Sequence, residues 1–449
     1  MKEINLKSKR FILKRISKSD ASKKYLSWFK DYQVKEFIEN SHSIKSIKDL
    51  KNNIEKENLK KNVFFFKILS LSKNHIGNVK ITNFKSQNFS NIGILIGDKK
   101  WRGKKLLKEI SDMLSSWLFK KFSIPNLNAG ANSKNYASIR GFLNSGYRII
   151  SCKKKNISFN RNYFLSKLII GTANFKKNYG FKKQIKKVSI HRLKKTLIKN
   201  NLSTFDTANN YGSECEIGKI SKKLNSNAIT KITIRFNQFK KFSIISKIKK
   251  SLINCKIKKF DAVLIHNEQI VFNKNFNKVL KILKLIKEKG LTKKIGISIY
   301  DVNLLKKFEK KLSNLDVISL PYNIFDRRLE NKNIKKIIKK NNFELHVRSV
   351  FLQGILIKKL NKMPKFFHKW KNHFIQWENY LRKYKISPQA ACLNFVLNNP
   401  DVKKIVVGIE SEKQLKELIK IIGTKIKIIP KFNISKNSLL IRPNLWTKN

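Results

Sequence analysis

Apolar and polar positions change rhythm once along this chain, near residue 166. Before that point, strand-like alternation and helix-like spacing follow one another without a fixed repeat. Arg10–Ile16, Val63–Leu69, Ile76–Phe84, Ile92–Ile96, Leu127–Ala131, Tyr147–Cys152 and Ile157–Phe164 read as strands, and Ala21–Phe29, Ile44–Leu59 and Tyr136–Ser145 as helices. The clearest helix is Lys104–Phe122, where Leu107, Ile110, Leu114, Leu118 and Phe122 recur on one face. The pattern predicts an α+β domain with mainly antiparallel strands over residues 1–165.

From Leu168 the chain alternates strand and helix regularly. Strands are predicted at Leu168–Thr172, Thr204–Ala208, Ala228–Ile232, Ala262–His266, Lys294–Ile299, Val317–Tyr322, Glu344–Ser349 and Lys404–Gly408. Amphipathic stretches such as Val188–Lys199, Phe242–Ile253, Lys278–Lys289, Val302–Lys310 and Asn333–Lys340 separate them. Eight strands with right-handed helical crossovers close an α/β (β/α)8 TIM barrel, here over residues 166–424. An open doubly wound sheet is the alternative, but no Gly-x-Gly-x-x-Gly follows any strand. Leu360–Tyr384 reads as an aromatic-rich insertion, and a tail at 425–449 either packs over the barrel mouth or stays loose.

The chain has 449 residues, 41% of them hydrophobic, enough to bury two cores. Its formal net charge of +72 raises a nucleic-acid or anionic-membrane partner as one explanation. The lysines, however, are spread through both halves, and Lys, Asn and Ile are abundant together, as an A+T-rich coding sequence would give. No specific nucleic-acid partner is therefore expected. No secretory signal or membrane-spanning apolar run is visible. Cys152, Cys215, Cys255 and Cys392 lie far apart, without metal-ligand spacing, and read as reduced thiols of a cytoplasmic protein.

Active-site chemistry in such a barrel sits at the C-terminal ends of the strands. Asp206, Lys231 and His266 fall at the ends of the second, third and fourth strands, and Tyr211 follows Asp206 by one loop. The set suits proton-coupled hydride transfer. A tyrosine can protonate the alkoxide formed from a carbonyl, a nearby ammonium lowers its pKa, an aspartate holds the ammonium, and a histidine can hydrogen-bond the substrate oxygen. The pattern resembles the aldo/keto reductase family over Leu168–Leu418. The shared features include Ile170-Gly171-Thr172-Ala173, Lys294-Ile295-Gly296-Ile297-Ser298, Pro321-Tyr322-Asn323, Asp326-Arg327-Arg328 and Val407-Gly408-Ile409. The resemblance implies catalytic roles for Asp206, Tyr211, Lys231 and His266. It also implies an extended NADPH or NADH, with Ser298, Asn323, Arg348, Gly408, Gln414 and Glu417 as contacts. Ile299 and Leu320 depart from the polar residues that usually hold the nicotinamide carboxamide. Arg348 stands where many members stack an aromatic, and could instead meet an anionic substrate group.

In the front domain a strand, Asn91–Gly97, leads into a basic glycine loop, Lys100-Trp101-Arg102-Gly103-Lys104-Lys105, and then a long helix. Backbone amides and the helix N-terminus make this an anion site. With Asn132, Asn135, Ser138, Ile139, Phe142 and Gly146-Tyr147 behind it, the segment resembles the GCN5-related N-acetyltransferases, especially those similar to ribosomal-protein acetyltransferases. That implies acetyl-CoA on Arg102, Gly103, Lys104, Lys105, Leu106 and Asn135. Glu36, His42, His75 and Asp98 are candidate bases, with His75 expected on an exposed hairpin, and Tyr136 or Tyr147 candidate acids. The expected protein is a bifunctional acetyltransferase and reductase acting on amino and keto sugars, nucleotide-linked, of a bacterial surface glycan. The rivals are acetylation of a protein N-terminus beside an unrelated reductase, and a barrel that binds nicotinamide without turnover.

Overall fold

The computed structural model describes residues 4–38, 41–175, 190–234, 241–429, 432 and 437–446. It divides into two units, Met1–Ser166 and Lys167–Asn449.

The first unit is an eight-stranded sheet, ordered β1-β2-β3-β4-β5-β6-β8-β7. Its strands are β1 Asn5–Lys7, β2 Phe11–Arg15, β3 Val63–Ser70, β4 His75–Phe84, β5 Phe89–Ile96, β6 Asn126–Asn132, β7 Arg148–Cys152 and β8 Asn156–Asn162. Every neighbouring pair is antiparallel except β5–β6. That parallel pairing runs only from Phe89–Asn126 to Ile92–Ala129. Beyond it the strands part, and Gly93–Ile96 keeps β4 as its paired neighbour. The long helix, Leu106–Phe122, buries Leu106, Ile110, Leu114 and Leu118 on one face of the sheet, against Phe66, Ile68, Ile76 and Val79. Ser111 and Ser115 lie on the same buried stripe, so the helix approaches the sheet closely there. The other face carries Lys23–Trp28 and Ile47–Leu59, which bury Tyr25, Trp28, Leu50 and Ile54.

The second unit is a closed barrel of eight parallel strands. They are β9 Leu168–Gly171, β10 Thr204–Asp206, β11 Asn227–Ile232, β12 Ala262–Ile265, β13 Ile295–Ser298, β14 Val317–Pro321, β15 Glu344–Arg348 and β16 Val402–Gly408. Ile169, Ile229, Ala262, Leu264, Val317 and Val406, from five strands, pack together as an interior layer. Gly296 lies in register with Leu264 and Val317. A Cβ there would meet the Val317 oxygen at 2.1 Å and Leu264 Cδ2 at 2.7 Å, so this stretch of barrel wall accepts only glycine. At the N-terminal end of the barrel Glu344 bonds Lys294 Nζ (2.6 Å) and His346 Nε2 (2.9 Å). Burial opposes ionisation of Glu344, yet these two partners hold its carboxyl well below the usual range.

Three helices need comment against the sequence reading. Helix Val188–Lys199 is seen as Ile190–Lys199, its first two residues lying outside the described ones. Val302–Lys310 is two short helices, Leu304–Lys307 and Glu309–Leu312, because Phe308 leaves helical geometry (φ −122°) and its ring packs on Phe272 at 5.0 Å. Glu214–Leu224, not singled out from the sequence, is the crossover helix after β10.

The aromatic-rich insertion forms a helix, Lys371–Lys383, burying Phe374, Trp377 and Tyr380. The described part of the tail docks on it and on loops that follow β12 and β14. Tyr380 Oη donates to the Lys427 carbonyl (2.8 Å), Arg327 to the Ile429 carbonyl (3.1 Å), and Arg442 pairs with Glu268 (3.3 Å). These loops leave the C-terminal ends of their strands, so the tail lies on the mouth side of the barrel.

Candidate active site

Side chains alternate along a strand, so residues of the same parity as the interior layer continue inside the barrel toward its mouth. At the C-terminal ends of the strands these are Gly171, Asp206, Lys231, His266, Ser298, Pro321, Arg348 and Gly408, with Gly171 in register with Asp206 and Gly408, and Pro321 with Arg348. The sequence-predicted Asp206, Lys231 and His266 therefore share one ring. Tyr211 joins them from the loop after β10, where its N–H donates to the Ala208 carbonyl (3.0 Å).

Lys231 and Asp206 form a buried ion pair, and the same ammonium donates to the Thr207 carbonyl at 3.3 Å. Lys231 Nζ lies 5.2 Å from the centroid of the Tyr211 ring, which is edge-on to His266 at 6.0 Å. Burial lowers the His266 pKa to about 4, with the Lys231 charge adding to the effect. His266 is thus a neutral imidazole at pH 7. The expectation that an ammonium lowers the Tyr211 pKa does not hold in this state. Burial, reinforced by the Asp206 carboxylate, raises it, and Arg348 is the cation that opposes the rise. The Lys231 charge is largely cancelled by its buried partner. Tyr211 is consequently a protonated phenol over the whole neutral range.

Arg348 is fixed on three sides. Its Nε donates to Ser298 Oγ (3.3 Å), one Nη to the Ile299 carbonyl (3.0 Å), and its guanidinium carbon lies 3.9 Å from the Tyr300 ring centroid. Its other terminal nitrogen, Nη1, is buried with no hydrogen-bond partner among the described residues. Tyr300 was not anticipated from the sequence. Glu268 holds its loop by accepting from the Tyr300 and Asp301 amides (2.5 and 3.0 Å).

The expected cofactor contacts separate. Ser298 and Gly408 are on the rim. Gln414 Oε1 accepts from the Glu410 amide (2.7 Å) at the start of the helix Glu412–Ile421, capped by Ser411 (3.1 Å), and Glu417 is exposed further along it. Asn323 is placed differently from the expectation. It is fully buried, donating to the Ser349 carbonyl (3.0 Å) and accepting from the Phe325 and Asp326 amides (both 2.9 Å), so it shapes its loop. Ile299 and Leu320 are fully buried and apolar. Asn174 and Asn209, after β9 and β10, were missed. Each keeps a buried side-chain oxygen with no partner among the described residues, a signal that sequence spacing does not contain.

In the first unit the loop after β5 winds through two left-handed residues, Gly103 (φ +72°) and Lys105 (φ +58°). Lys105 is the N-cap of the long helix and supplies no capping side chain, so the first helical amides remain available to an anion. Arg102 does not face that loop. Its guanidinium donates to the Ile96 (3.0 Å) and Gly97 (3.2 Å) carbonyls, Asp31 (3.1 Å) and Gln33 (3.2 Å), bracing β5. Gly103, Lys104 and Lys105 are exposed, Leu106 is buried, and Asn135 caps the helix Tyr136–Asn144 through the Ser138 amide (2.9 Å).

The candidate proton carriers also sort themselves. Glu36 and His42 are exposed, and Asp98 caps the Lys100 amide (3.0 Å) while pairing with Lys24 (3.4 Å). His75 is not an exposed hairpin residue: Trp28 and Tyr25 cover it edge-on at 4.9 and 5.4 Å. Its Nε2 meets the Gly77 carbonyl (3.1 Å) and Asn78 Oδ1 (2.9 Å), both acceptors, which assigns the proton to Nε2 and leaves a lone pair on Nδ1. Burial lowers its pKa. Tyr147 is sealed in the core against Ser111 Oγ (3.1 Å), and burial raises its pKa to about 12, which removes it as a proton donor to a thiolate. Tyr136 is 70% exposed.

Among the described residues no helix is long and apolar enough to cross a membrane, and no group of three potential metal ligands occurs. No curated protein matches the chain. Among solved structures it is similar to an aldo-keto reductase of Bacillus halodurans in its holo form, with 18% identity, TM-score 0.48, and coverage of 68% of this chain and 97% of that one. A Pseudomonas aeruginosa protein described as an aldo-keto reductase is similar at 17% identity, TM-score 0.42, covering 57% of this chain and 89% of its own. The model of the aldo/keto reductase family matches residues 167–428, and that of the acetyltransferase (GNAT) domain residues 10–148. The chain therefore belongs to the aldo/keto reductase family and carries a GNAT acetyltransferase domain ahead of its barrel, an oxidoreductase and an acyl-CoA N-acyltransferase in one polypeptide.

Proposed function

We propose that Tyr211 is the acid of carbonyl reduction and that His266, as a neutral imidazole, hydrogen-bonds the carbonyl oxygen. The carrying observation is their contrast on one rim: His266, with its pKa pushed down to about 4, is no imidazolium at pH 7 and offers only a neutral N–H, while Tyr211 keeps its phenolic proton. Lys231 stands at the face of the Tyr211 ring, held there by Asp206, and Arg348 is the cation that favours the tyrosinate left behind. Family members generally use NAD(P)H, which when bound supplies the hydride. The residues present fit such a group. Ser298 and Gly408 line the rim, Gln414 and Glu417 lie on the helix beyond it, and the orphaned oxygens of Asn174 and Asn209 await donors. Following the family's habit we assign NADPH. Tyr211→Phe should lower kcat by about 10²–10⁴-fold while NADPH affinity, read by fluorescence, stays near wild type. Unchanged turnover would remove Tyr211 from the mechanism.

For the acetyltransferase we assign acetyl-CoA pyrophosphate to the amides and lysines of Gly103–Leu106, and the pantetheine arm to the unpaired edge of β5 at Gly93–Ile96. His75, neutral and with its Nδ1 lone pair set by two acceptors on Nε2, is our base for the amine. Fusion of an amine-consuming and a carbonyl-consuming activity supports amino and keto sugars, nucleotide-linked, of a bacterial surface glycan as the substrates. Acetylation of amino-sugar nucleotides and NADPH oxidation with keto-sugars would support it. Activity confined to peptide N-termini would replace the sugar acceptor.

A further inference from the structure

Among the described residues of the rim, Arg348 is a cation with no carboxylate in contact. Lys231 has Asp206, Arg328 has Asp326 and Arg442 has Glu268. Arg348 is held by a serine hydroxyl, a carbonyl oxygen and an aromatic face, all neutral. Asp206 and Lys231 cancel each other, and among the described residues Arg348 touches no carboxylate, although Asp326 lies within reach of its charge. Arg348 is half-buried, but its Nη1 is shut off from solvent, and a buried guanidinium nitrogen without an acceptor is costly. The three contacts hold Arg348 in this orientation. Its Nη1 is therefore set in place for something that arrives with the reactants. A neutral carboxamide oxygen could satisfy the N–H but would leave the charge.

We propose that Arg348 binds a charged oxygen on the substrate, so that the reductase acts on carbonyl compounds bearing a carboxylate or phosphate near the reacting carbon. The short spacing follows because Arg348 donates to Ser298, whose strand is paired with the one that leads into His266. The proposal rests on the reductase reading and defines its substrate class. Pro321, in register with Arg348 on β14, has no N–H to compete for the anion.

The test is calorimetric titration of the full-length protein saturated with NADP+. The probes are two matched pairs, phenylglyoxylate with its methyl ester and dihydroxyacetone phosphate with dihydroxyacetone. At least one charged member should bind wild type about 10- to 100-fold tighter than its neutral partner. In Arg348→Leu and Arg348→Gln that ratio should fall below about threefold, and the glutamine variant decides if the leucine variant does not fold. The responding pair identifies carboxylate or phosphate. Absence of a preference in wild type, or one that survives both substitutions, overturns the proposal. A loss of NADP+ affinity as large as the loss of preference also overturns it and makes Arg348 a cofactor contact. Failure of wild type to bind NADP+ at all would instead strike the reductase reading.

Discussion

Lys231 and Asp206 are almost wholly buried, and each is tolerable there because of the other. Removing one partner strands a charge in the barrel. Lys231→Met or Asp206→Asn should each cost about 3–5 kcal/mol, and the double variant less than the sum. Urea denaturation of the four proteins measures this. His266 gives a pH signature of defined sign. Its folded pKa, about 4, lies below the ordinary 6.5, so the unfolded chain binds a proton that the folded one refuses. Stability rises with pH between these values. The contribution is complete above about 6.5 and is lost as pH falls toward 4, on the order of 3 kcal/mol in all. His266→Gln should flatten that part of the stability curve. The acid limb of the wild-type kcat/KM profile should likewise fall near pH 4 and show no ionisation near 6.5.

At the scale of elements, strand ends were readable and helix ends less so. Strand residues from Leu168 onward are β-branched and apolar in short runs, and the barrel adopts them within a residue or two. Phe308 broke a helix that periodicity alone would continue, because a tertiary ring contact outweighed local propensity. Lys105 shows the reverse conflict, a lysine where the loop demands a left-handed residue. Lys105→Gly should stabilise the first unit by about 1 kcal/mol, seen as a higher melting temperature. If Lys105 also binds the pyrophosphate, acetyl-CoA affinity should fall in the same variant. At Gly296 added volume has no room, and Gly296→Val should prevent a closed barrel, visible as loss of cooperative melting of the second unit.

At the scale of the molecule, each unit has its own core. Calorimetry should therefore resolve two transitions, with NADPH raising one and acetyl-CoA the other. A single transition moved equally by both ligands would mean that the units unfold as one. The net charge of +72 should make the protein bind polyanions at low salt without sequence preference, and increasing salt should abolish this steeply.

The sequence by itself determined the acetyltransferase-type domain, the barrel's eight strands and the strand-end positions of Asp206, Lys231 and His266, with Tyr211 one loop beyond. Periodicity and strand-end position are local properties, and local patterns survive in one dimension. Only the tertiary structure decided how those residues behave. Burial, which no spacing encodes, keeps His266 neutral and Tyr211 protonated and turns Asn323 and Tyr147 inward. Covering rings made His75 a half-buried imidazole. Closure of the barrel brought Arg348 beside Ser298 and Tyr300, from strands and loops about fifty residues away, and left it, among the described residues, with no carboxylate in contact. Burial and balance of charge belong to the assembled rim, and the chain acquires them only when it closes.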